Sequence, residues 1–245
     1  MTVSVNMKDL DLITITYNDG ERFLESLRSV DSQTARHRIN HIVVDSNQAP
    51  LQFDNRDIVH ITTDPRGVYN ALNIGIKNGS SDIIGMLHGN DLFASEDVIE
   101  TVLNIFQAKP TLDFLFADLE YFSNSPSKVT RRYKGNRFST ELLVSGYAPP
   151  HPTLFLRRKV FDKTGFYDES FRIAGDFEFW LRLFDDKNGF NYTYVPKVFT
   201  LMSQGGLSSS LKNQLTINFF EKRRALKMHG IKPSLFKFIK RLKYL

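Results

Sequence analysis

Short β-branched and apolar runs alternate with amphipathic stretches over residues 1–118, and this alternation constrains the fold more than any other feature. The strand-like runs are 12–17, 42–44, 58–62, 83–87 and 112–116. Between them, apolar residues recur at helical spacing, as at Val68, Leu72 and Ile76. Strands that alternate with helices build a mostly parallel sheet with helices on its faces. The sequence therefore predicts an α/β fold with a Rossmann-like sheet in this half.

The polar turn that follows the apolar run 83–87 carries a carboxylate, Asp91. In open α/β sheets, ligands bind in the crevice at the carboxyl ends of the strands. A carboxylate there suits a hydrated divalent cation that is shared with the phosphates of a ligand. The simpler alternative is that Asp91 caps the next helix. His88, in the same turn, is interpreted either as a metal ligand or as a packed residue at the strand end.

The motifs that the chain lacks exclude several classes of protein. There is no Gly-x-Gly-x-x-Gly after the first strand and no Gly-x-x-x-x-Gly-Lys-Ser/Thr, which disfavours a classical dinucleotide enzyme and a P-loop NTPase. Zero cysteines exclude thiol catalysis and cysteine-ligated metals, and they fit a reducing compartment such as the cytoplasm. No apolar run approaches the ~20 residues that cross a bilayer, and we expect no secretory signal at the N-terminus.

The net charge of +5 hides a strongly basic C-terminal segment. Residues 222–245 contain nine Lys or Arg and no acid, whereas the rest of the chain has 23 basic and 27 acidic residues. Within 233–245 the apolar residues fall on one helical stripe: Leu235, Phe238, Ile239, Leu242 and Leu245. The pattern predicts a basic amphipathic helix on an anionic membrane surface. Docking on the body or on a second subunit is the alternative, and RNA binding is a third.

Seven short blocks occur along the chain in one order. They are Thr16-Tyr-Asn18, Val44-Asp45, Arg66 to Gly75, Asp82 to Asp91, His151-Pro-Thr-Leu-Phe-Leu-Arg157, Gly165 to Phe171, and Gly175-Asp-Phe-Glu-Phe-Trp-Leu-Arg182. Together they resemble glycosyltransferase family 2, the inverting nucleotide-sugar enzymes with a GT-A fold, over residues 12–207. The resemblance implies a GT-A (Rossmann-like) α/β fold, with a mostly parallel central sheet flanked by helices and a C-terminal acceptor-side region.

The resemblance also implies roles for the residues that match the family's motifs. Asp91 corresponds to the carboxylate that binds Mn²⁺ or Mg²⁺ on the donor's diphosphate, and Asn90 stands where many members have a second acid. Asp176 corresponds to the catalytic base. Its alternatives are pairing with Arg182 or capping of its own helix. The block 205–208 resembles the mobile loop that closes over the donor.

Further matching positions concern the nucleotide. Asp45 corresponds to the residue that hydrogen-bonds the base. Thr16 and Tyr17, with Asn18 after them, match the end of the first strand, which lines the base pocket. Arg66 lies where a basic residue meets the nucleotide or its phosphates. The loop that follows Asp45 departs from the family's usual sequence.

Three residues are candidates for the acceptor side. His151 lies between prolines and is either an acceptor or phosphate contact or only a turn residue. Asp118 follows a predicted strand and is either an acceptor-side carboxylate or a loop residue. Trp180 is interpreted as a core residue, with acceptor stacking as the alternative.

The resemblance implies that this chain transfers one sugar, as a hexosyltransferase, from a nucleotide-sugar donor to a hydroxyl of a glycan or lipid-linked acceptor in surface polysaccharide biosynthesis. A UDP-sugar is the favoured donor, and no nucleic-acid partner is expected. The predicted parts are a donor-binding half (1–118), an acceptor-side half of the same compact domain (119–210) and a basic helical tail (211–245). The alternatives are a sugar-1-phosphate nucleotidyltransferase and a non-catalytic nucleotide-sugar-binding subunit, the latter because of Asn90.

Overall fold

A computed structural model describes residues 8–52, 57–123, 125–137, 140–203 and 211–232 of the chain, which build one nine-stranded sheet with helices on both faces. The strands are β1 (Leu10–Thr16), β2 (Ile39–Asp45), β3 (Ile58–Thr62), β4 (Ile83–His88), β5 (Asp91–Phe93), β6 (Phe114–Phe122), β7 (Val129–Tyr133), β8 (Phe155–Arg157) and β9 (Tyr192–Ser203). The helices are α1 (Glu21–Asp31), α2 (Val68–Asn78), α3 (Val98–Ala108), α4 (Thr140–Leu143), α5 (Val160–Thr164), α6 (Gly175–Leu183) and α7 (Leu211–Met228).

The strand order in the sheet is β3-β2-β1-β4-β8-β6-β9-β5, and β7 pairs with β6 beside this path. The strands β3, β2, β1 and β4 are mutually parallel. Strand β8 runs antiparallel to β4 and β6, whereas β9 is parallel to β6. The predicted α/β architecture with a mostly parallel sheet is confirmed. Both predicted halves contribute strands to the same sheet, and residue 118 lies within β6.

Alternate residues of the central strands pack into hydrophobic clusters on the two faces of the sheet. Ile13 of β1 belongs to the core under α2, α6 and α7, whereas Leu12 belongs to the core under α3. This division follows from the period of two in a strand, which sends neighbouring side chains to opposite faces. The sheet is therefore covered on both sides, as a parallel sheet requires.

The structure corrects the sequence interpretation of the segment after residue 112. Strand β6 does not end at Asp118 but continues to Phe122, because β7 pairs with it on one side and β9 on the other. The polar segment 121–133, whose sequence is typical of a hairpin or a loop, forms a hairpin from the end of β6 and β7. Strands β5 and β9 carry no clear strand pattern of their own in the sequence. Strand β5 is held by pairing with β9, and β9 pairs with β6 on its other side.

None of the helices in the described ranges has a stretch long and apolar enough to span a lipid bilayer. Two sequence predictions, the mobile loop at 205–208 and the amphipathic tail at 233–245, lie outside the described residues.

Candidate functional site

The loops that follow β1, β2 and β4 meet at the carboxyl edge of the parallel strands. The Ser46 backbone N–H donates to the Thr16 carbonyl (3.0 Å), and the Gly89 N–H donates to the Ile15 carbonyl (2.9 Å). These bonds continue the sheet pairing past the strand ends, so the loops that carry the predicted site residues are held against one another.

Asp91 begins strand β5, and its side chain is fully buried. Neither of its carboxylate oxygens has a hydrogen-bond partner among the described residues. Burial, together with the negative charge of Asp19, raises the pKa of Asp91 to about 8, and the Ser203 backbone opposes this rise only in part. The helix-cap interpretation of Asp91 is wrong, because α3 begins at Val98 and its N-cap residue is Asp97.

Asp19 is a second carboxylate at the same place, although its Asn-Asp-Gly sequence indicates only a turn. Its Oδ2 accepts a hydrogen bond from the Tyr17 backbone N–H (3.2 Å). Burial raises the pKa of Asp19, and hydrogen bonds from Thr16 and from the Tyr17 backbone oppose the rise. A Cβ at position 89 would lie 2.5 Å from Asp19 Oδ2, so the residue at 89 has to be glycine for the two loops to approach this closely. The close approach places the Asp19 charge next to Asp91.

The donor set at this edge fits a hard divalent cation. Buried carboxylate oxygens without partners are the ligands that Mg²⁺ and Mn²⁺ prefer. Across the described ranges, no group of three or more His, Cys, Asp or Glu is arranged to enclose a metal. A cation held by Asp91 and Asp19 would therefore take its remaining ligands from a substrate and from water, as Mg²⁺ does in phosphate-binding sites.

His88 ends strand β4 and lies near enough to Asp176 for that charge to affect its pKa. Burial lowers the pKa of His88 to about 4, with a contribution from His151, so the imidazole is neutral. Its Nε2 is buried and has no partner in the described part of the chain. Asn90, the residue before Asp91, lies half-buried in the turn that joins β4 to β5.

Asp45, the predicted base-binding residue, uses its buried carboxylate to organise the loop after β2. Oδ1 accepts hydrogen bonds from the backbone and side chain of Asn47 (2.9 and 2.7 Å), and Oδ2 accepts one from the Leu51 N–H (2.7 Å). His60 Nε2 lies 3.1 Å from Oδ2. Burial alone would raise the pKa of Asp45, but these hydrogen bonds hold it below its usual range. A direct contact with a nucleotide base stays a prediction.

The other predicted nucleotide contacts surround this loop. Thr16 is buried, whereas the Tyr17 side chain is 43% exposed. Asn18 has φ of 59°, and its backbone N–H donates to the Asn47 side chain (2.7 Å), which joins the loops after β1 and β2. Arg66 lies in the loop between β3 and α2 with an exposed side chain, 3.6 Å from Asp64. These residues share one edge of the sheet, and their contacts with a ligand stay predictions.

Asp176 lies in the first turn of α6, and its charge and that of Asp91 both affect the pKa of Tyr121. Its Oδ1 accepts a hydrogen bond from the Phe177 backbone N–H (2.6 Å). Burial raises the pKa of Asp176, while the Lys222 ammonium opposes this rise. The alternative pairing with Arg182 is wrong, because Arg182 binds Glu178 (2.6 Å). A carboxylate that is partly buried and has a raised pKa is suited to accept a proton near neutral pH.

Two residues that the sequence interpretation missed hold the backbone in front of Asp176. The Glu221 carboxylate, on α7, accepts hydrogen bonds from three successive backbone N–H groups, those of 172–174, at 2.8–2.9 Å. The Tyr69 hydroxyl, on α2, donates to the Ile173 carbonyl (2.6 Å) and accepts from the Asp176 N–H (3.1 Å). No local sequence pattern indicates these contacts, because they join positions 47 to 107 residues apart.

The three predicted acceptor-side residues are all buried, and two of them have structural roles. Trp180 has no exposed surface and packs edge-on against Phe114 in the core, so it cannot contact an acceptor. Asp118 lies inside β6, where its carboxylate binds Arg132 (3.0 Å) and accepts from the Tyr194 hydroxyl (2.7 Å). Its carboxylate is thus used to hold β7 and β9 to β6, which corrects the acceptor-side assignment.

His151 is the predicted acceptor-side residue that lies nearest to the crevice. Its Nε2 is 2.8 Å from the Tyr167 hydroxyl. Burial lowers the pKa of His151 to about 4, so its ring is neutral. The Tyr167 hydroxyl also lies 3.3 Å from the Met86 sulfur. His151 is thus a packed, hydrogen-bonded residue, and a contact with an acceptor stays a prediction.

Comparison with known proteins identifies the family. The model described as "Glycosyl transferase family 2" matches residues 11–173. An uncharacterized glycosyltransferase of Mycobacterium tuberculosis is 30% identical over 181 residues, which are 71% of this chain and 68% of that protein. Another, from Haemophilus influenzae, is 23% identical over 184 residues, 72% of this chain and 62% of that protein.

Solved structures resemble the fold at low sequence identity. A crystal structure of S. aureus TarS residues 1–349 in complex with UDP matches with a TM-score of 0.68 and 14% identity, over 97% of this chain and 72% of that one. This chain spans only 39% of a longer TarS chain. The mannosyltransferase PcManGT from Pyrobaculum calidifontis, in complex with GDP-Man and Mn²⁺, has a TM-score of 0.60 at 16% identity, over 89% of this chain and 65% of that one. The fold is thus that of GT-A glycosyltransferases, and the chain belongs to glycosyl transferase family 2.

Proposed function

We propose that this glycosyltransferase moves a sugar from a nucleotide-sugar donor to an acceptor hydroxyl with inversion at the anomeric carbon. The observation that carries the proposal is the buried, unpartnered carboxylate of Asp91, with Asp19 beside it and Asp176 in the same crevice. Nucleotide-sugar use is supported by fold relatives that were solved with UDP, UDP-GlcNAc and GDP-Man. A UDP-sugar is the favoured donor.

A divalent cation, Mn²⁺ or Mg²⁺, would be held by Asp91 with Asp19 and would supply positive charge to the departing diphosphate. Asp176 takes the proton of the acceptor hydroxyl. The freed electron pair of that oxygen forms a bond to the anomeric carbon while the bond from this carbon to the diphosphate oxygen breaks. The nucleoside diphosphate leaves with that electron pair. A single displacement of this kind inverts the anomeric centre.

The chain's own residues prepare this step. Glu221 and Tyr69 fix the backbone on which Asp176 is carried, so the carboxylate has a defined position before a substrate binds. The imidazole of His88 is neutral near pH 7, because burial lowers its pKa to about 4. The family assignment favours this reaction over the nucleotidyltransferase alternative.

We further propose that the protein works at the inner face of a membrane on a glycan or lipid-linked acceptor of a surface polysaccharide. The basic composition of 233–245 supports this location. The described helix before it, α7, adds apolar side chains on its outer face: Phe220 is 63% exposed and Met228 53% exposed. Two basic residues, Arg223 and Lys227, line the same surface cavity as these apolar side chains. Apolar and basic groups together suit an anionic lipid surface.

Isothermal titration with UDP-GlcNAc and GDP-mannose, with and without Mn²⁺, tests the proposal. We expect one donor class to bind at micromolar to millimolar concentration in the presence of Mn²⁺, and to bind at least tenfold more weakly in EDTA. If neither donor binds in either condition, the proposed reaction is wrong. Binding without any transfer or hydrolysis of the donor would favour the non-catalytic subunit.

A further inference from the structure

A row of four residues crosses the sheet at the crevice, one on each of four neighbouring strands. Arg131 of β7 pairs with Tyr121 of β6, Tyr121 pairs with Met202 of β9, and Met202 pairs with Asp91 of β5. Directly paired residues send their side chains to the same face of a sheet. Arg131 therefore shares a face with Asp91, at about 14 Å between Cα atoms if each strand spacing is about 4.8 Å.

Tyr121, in the middle of this row, is close to both functional carboxylates. Burial raises the pKa of Tyr121, Arg131 opposes the rise, and the charges of Asp91 and Asp176 add to it. The phenol thus lies between the guanidinium at one end of the row and the carboxylates at the other. Arg131 and Asp91 thus lie at opposite ends of the row, and Asp176 is near Tyr121, which lies between them in the order of pairing.

Two aromatic rings hold the Arg131 guanidinium without neutralising it. Its central carbon lies 5.3 Å from the Tyr121 ring centre and 5.7 Å from the Tyr133 ring centre. The next residue, Arg132, points to the other face and binds the carboxylates of Asp118 and Glu120 at 3.0 and 3.8 Å. Within the described residues, Arg131 itself has no carboxylate within 4.0 Å. A guanidinium fixed by rings but without an anion is suited to bind a phosphate through two parallel hydrogen bonds.

We propose that Arg131, held between Tyr121 and Tyr133, binds a phosphate group of the acceptor substrate. This proposal rests on the proposed function, because it assumes that the donor diphosphate lies at Asp91. A diphosphate at that end leaves the Arg131 end of the row for the acceptor. The acceptor is therefore an alcohol that carries a phosphate near the reacting hydroxyl, as in a phosphorylated glycan or a lipid-linked phosphate.

The experiment uses the full chain saturated with UDP and Mg²⁺, titrated with glycerol 1-phosphate and with glycerol, its uncharged counterpart. We expect glycerol 1-phosphate to bind and glycerol not to bind. Arg131→Gln should weaken glycerol 1-phosphate binding at least tenfold and change the Kd of UDP by less than twofold. Arg131→Lys should recover part of the loss. Lys128→Gln, which removes an exposed positive charge from the same hairpin, is the matched control and should behave like the wild type.

Three results would overturn the proposal. The first is that glycerol 1-phosphate does not bind the wild type. The second is that it binds Arg131→Gln as tightly as it binds the wild type. The third is that Arg131→Gln weakens the binding of UDP as much as the binding of glycerol 1-phosphate. The last result would assign Arg131 to the donor diphosphate. If UDP itself does not bind the wild type, the proposed function is wrong, and the acceptor proposal that rests on it is wrong too. This result is seen in the first step, before glycerol 1-phosphate is added. Thermal unfolding of each variant shows whether the hairpin is intact.

Discussion

Replacing Asp91 by Asn should stabilise the metal-free protein at alkaline pH, because the carboxylate is buried without a partner. Burial and Asp19 raise the pKa of Asp91 from 3.8 to about 8. The folded protein thus holds this proton more tightly than the unfolded chain does. The resulting stability is fully present below pH 4 and is lost as the pH rises towards 8. A shift of about four pKa units, at about 1.4 kcal/mol each, sets an upper limit of roughly 6 kcal/mol, and we expect roughly 3 kcal/mol after relaxation of the site.

Urea unfolding in EDTA at pH 5 and pH 8 measures this effect. With an m value of about 3 kcal/mol per M, the midpoint of Asp91→Asn should exceed that of the wild type by roughly 1 M at pH 8 and by much less at pH 5. Added Mg²⁺ or Mn²⁺ should raise the wild-type midpoint at pH 8 and leave Asp91→Asn unchanged. Asp97→Asn is the control of opposite sign, because hydrogen bonds from Lys197 and Ser95 lower the pKa of that exposed carboxyl. An equal gap at both pH values would refute the reasoning.

Three further predictions concern the base, its support and the tail. Asp176→Asn should reduce transfer by at least 10³-fold and leave donor affinity within twofold of the wild type. The activity of the wild type should fall as the pH drops below the raised pKa of Asp176, because the carboxylate then becomes protonated. If Asp176→Asn loses donor binding in titration to the same extent as transfer, the assignment of the base is wrong. Glu221→Ala removes the acceptor of three backbone N–H groups and should lower the free energy of unfolding by roughly 3 kcal/mol in thermal or urea unfolding, whereas Lys227→Ala on the same helix should have little effect. Deletion of 233–245 should release the protein from phosphatidylglycerol vesicles in a sedimentation assay, with phosphatidylcholine vesicles as the control, and unchanged sedimentation would count against membrane contact.

The sequence predicts the parallel part of the sheet well, because its strands and helices have strong local periodicity. The position of Asp45 follows directly, since it ends such a strand, and that of Asp91 follows from the turn after β4. Periodicity fails where pairing between distant segments decides the structure. Asp118 was expected at a strand end, but β7 and β9 extend β6 past it.

The parts of the site that the sequence does not predict depend on contacts between distant residues. The sequence of Asp19 indicates a turn, because Asn-Asp-Gly is a common turn sequence, and only the folded structure brings its charge near enough to raise the pKa of Asp91. Glu221 is one acid in a basic helix, and nothing nearby in the chain indicates that it binds the backbone before Asp176. Such roles can be recognised only after the fold has brought the segments together.

The hydroxyl of Tyr69 has a consequence for engineering chimeric transferases. The family match ends at residue 173, and Asp176 lies just beyond it. Tyr69 spans that border, because it bonds both the Ile173 carbonyl and the Asp176 N–H from a helix about a hundred positions earlier. A hybrid that joins one protein's donor-binding segment to another's C-terminal segment would therefore have to transplant the tyrosine with the base. To exchange substrate specificity in this fold, residues that contact each other from the two segments would have to be replaced together, and a single crossover point would not be sufficient.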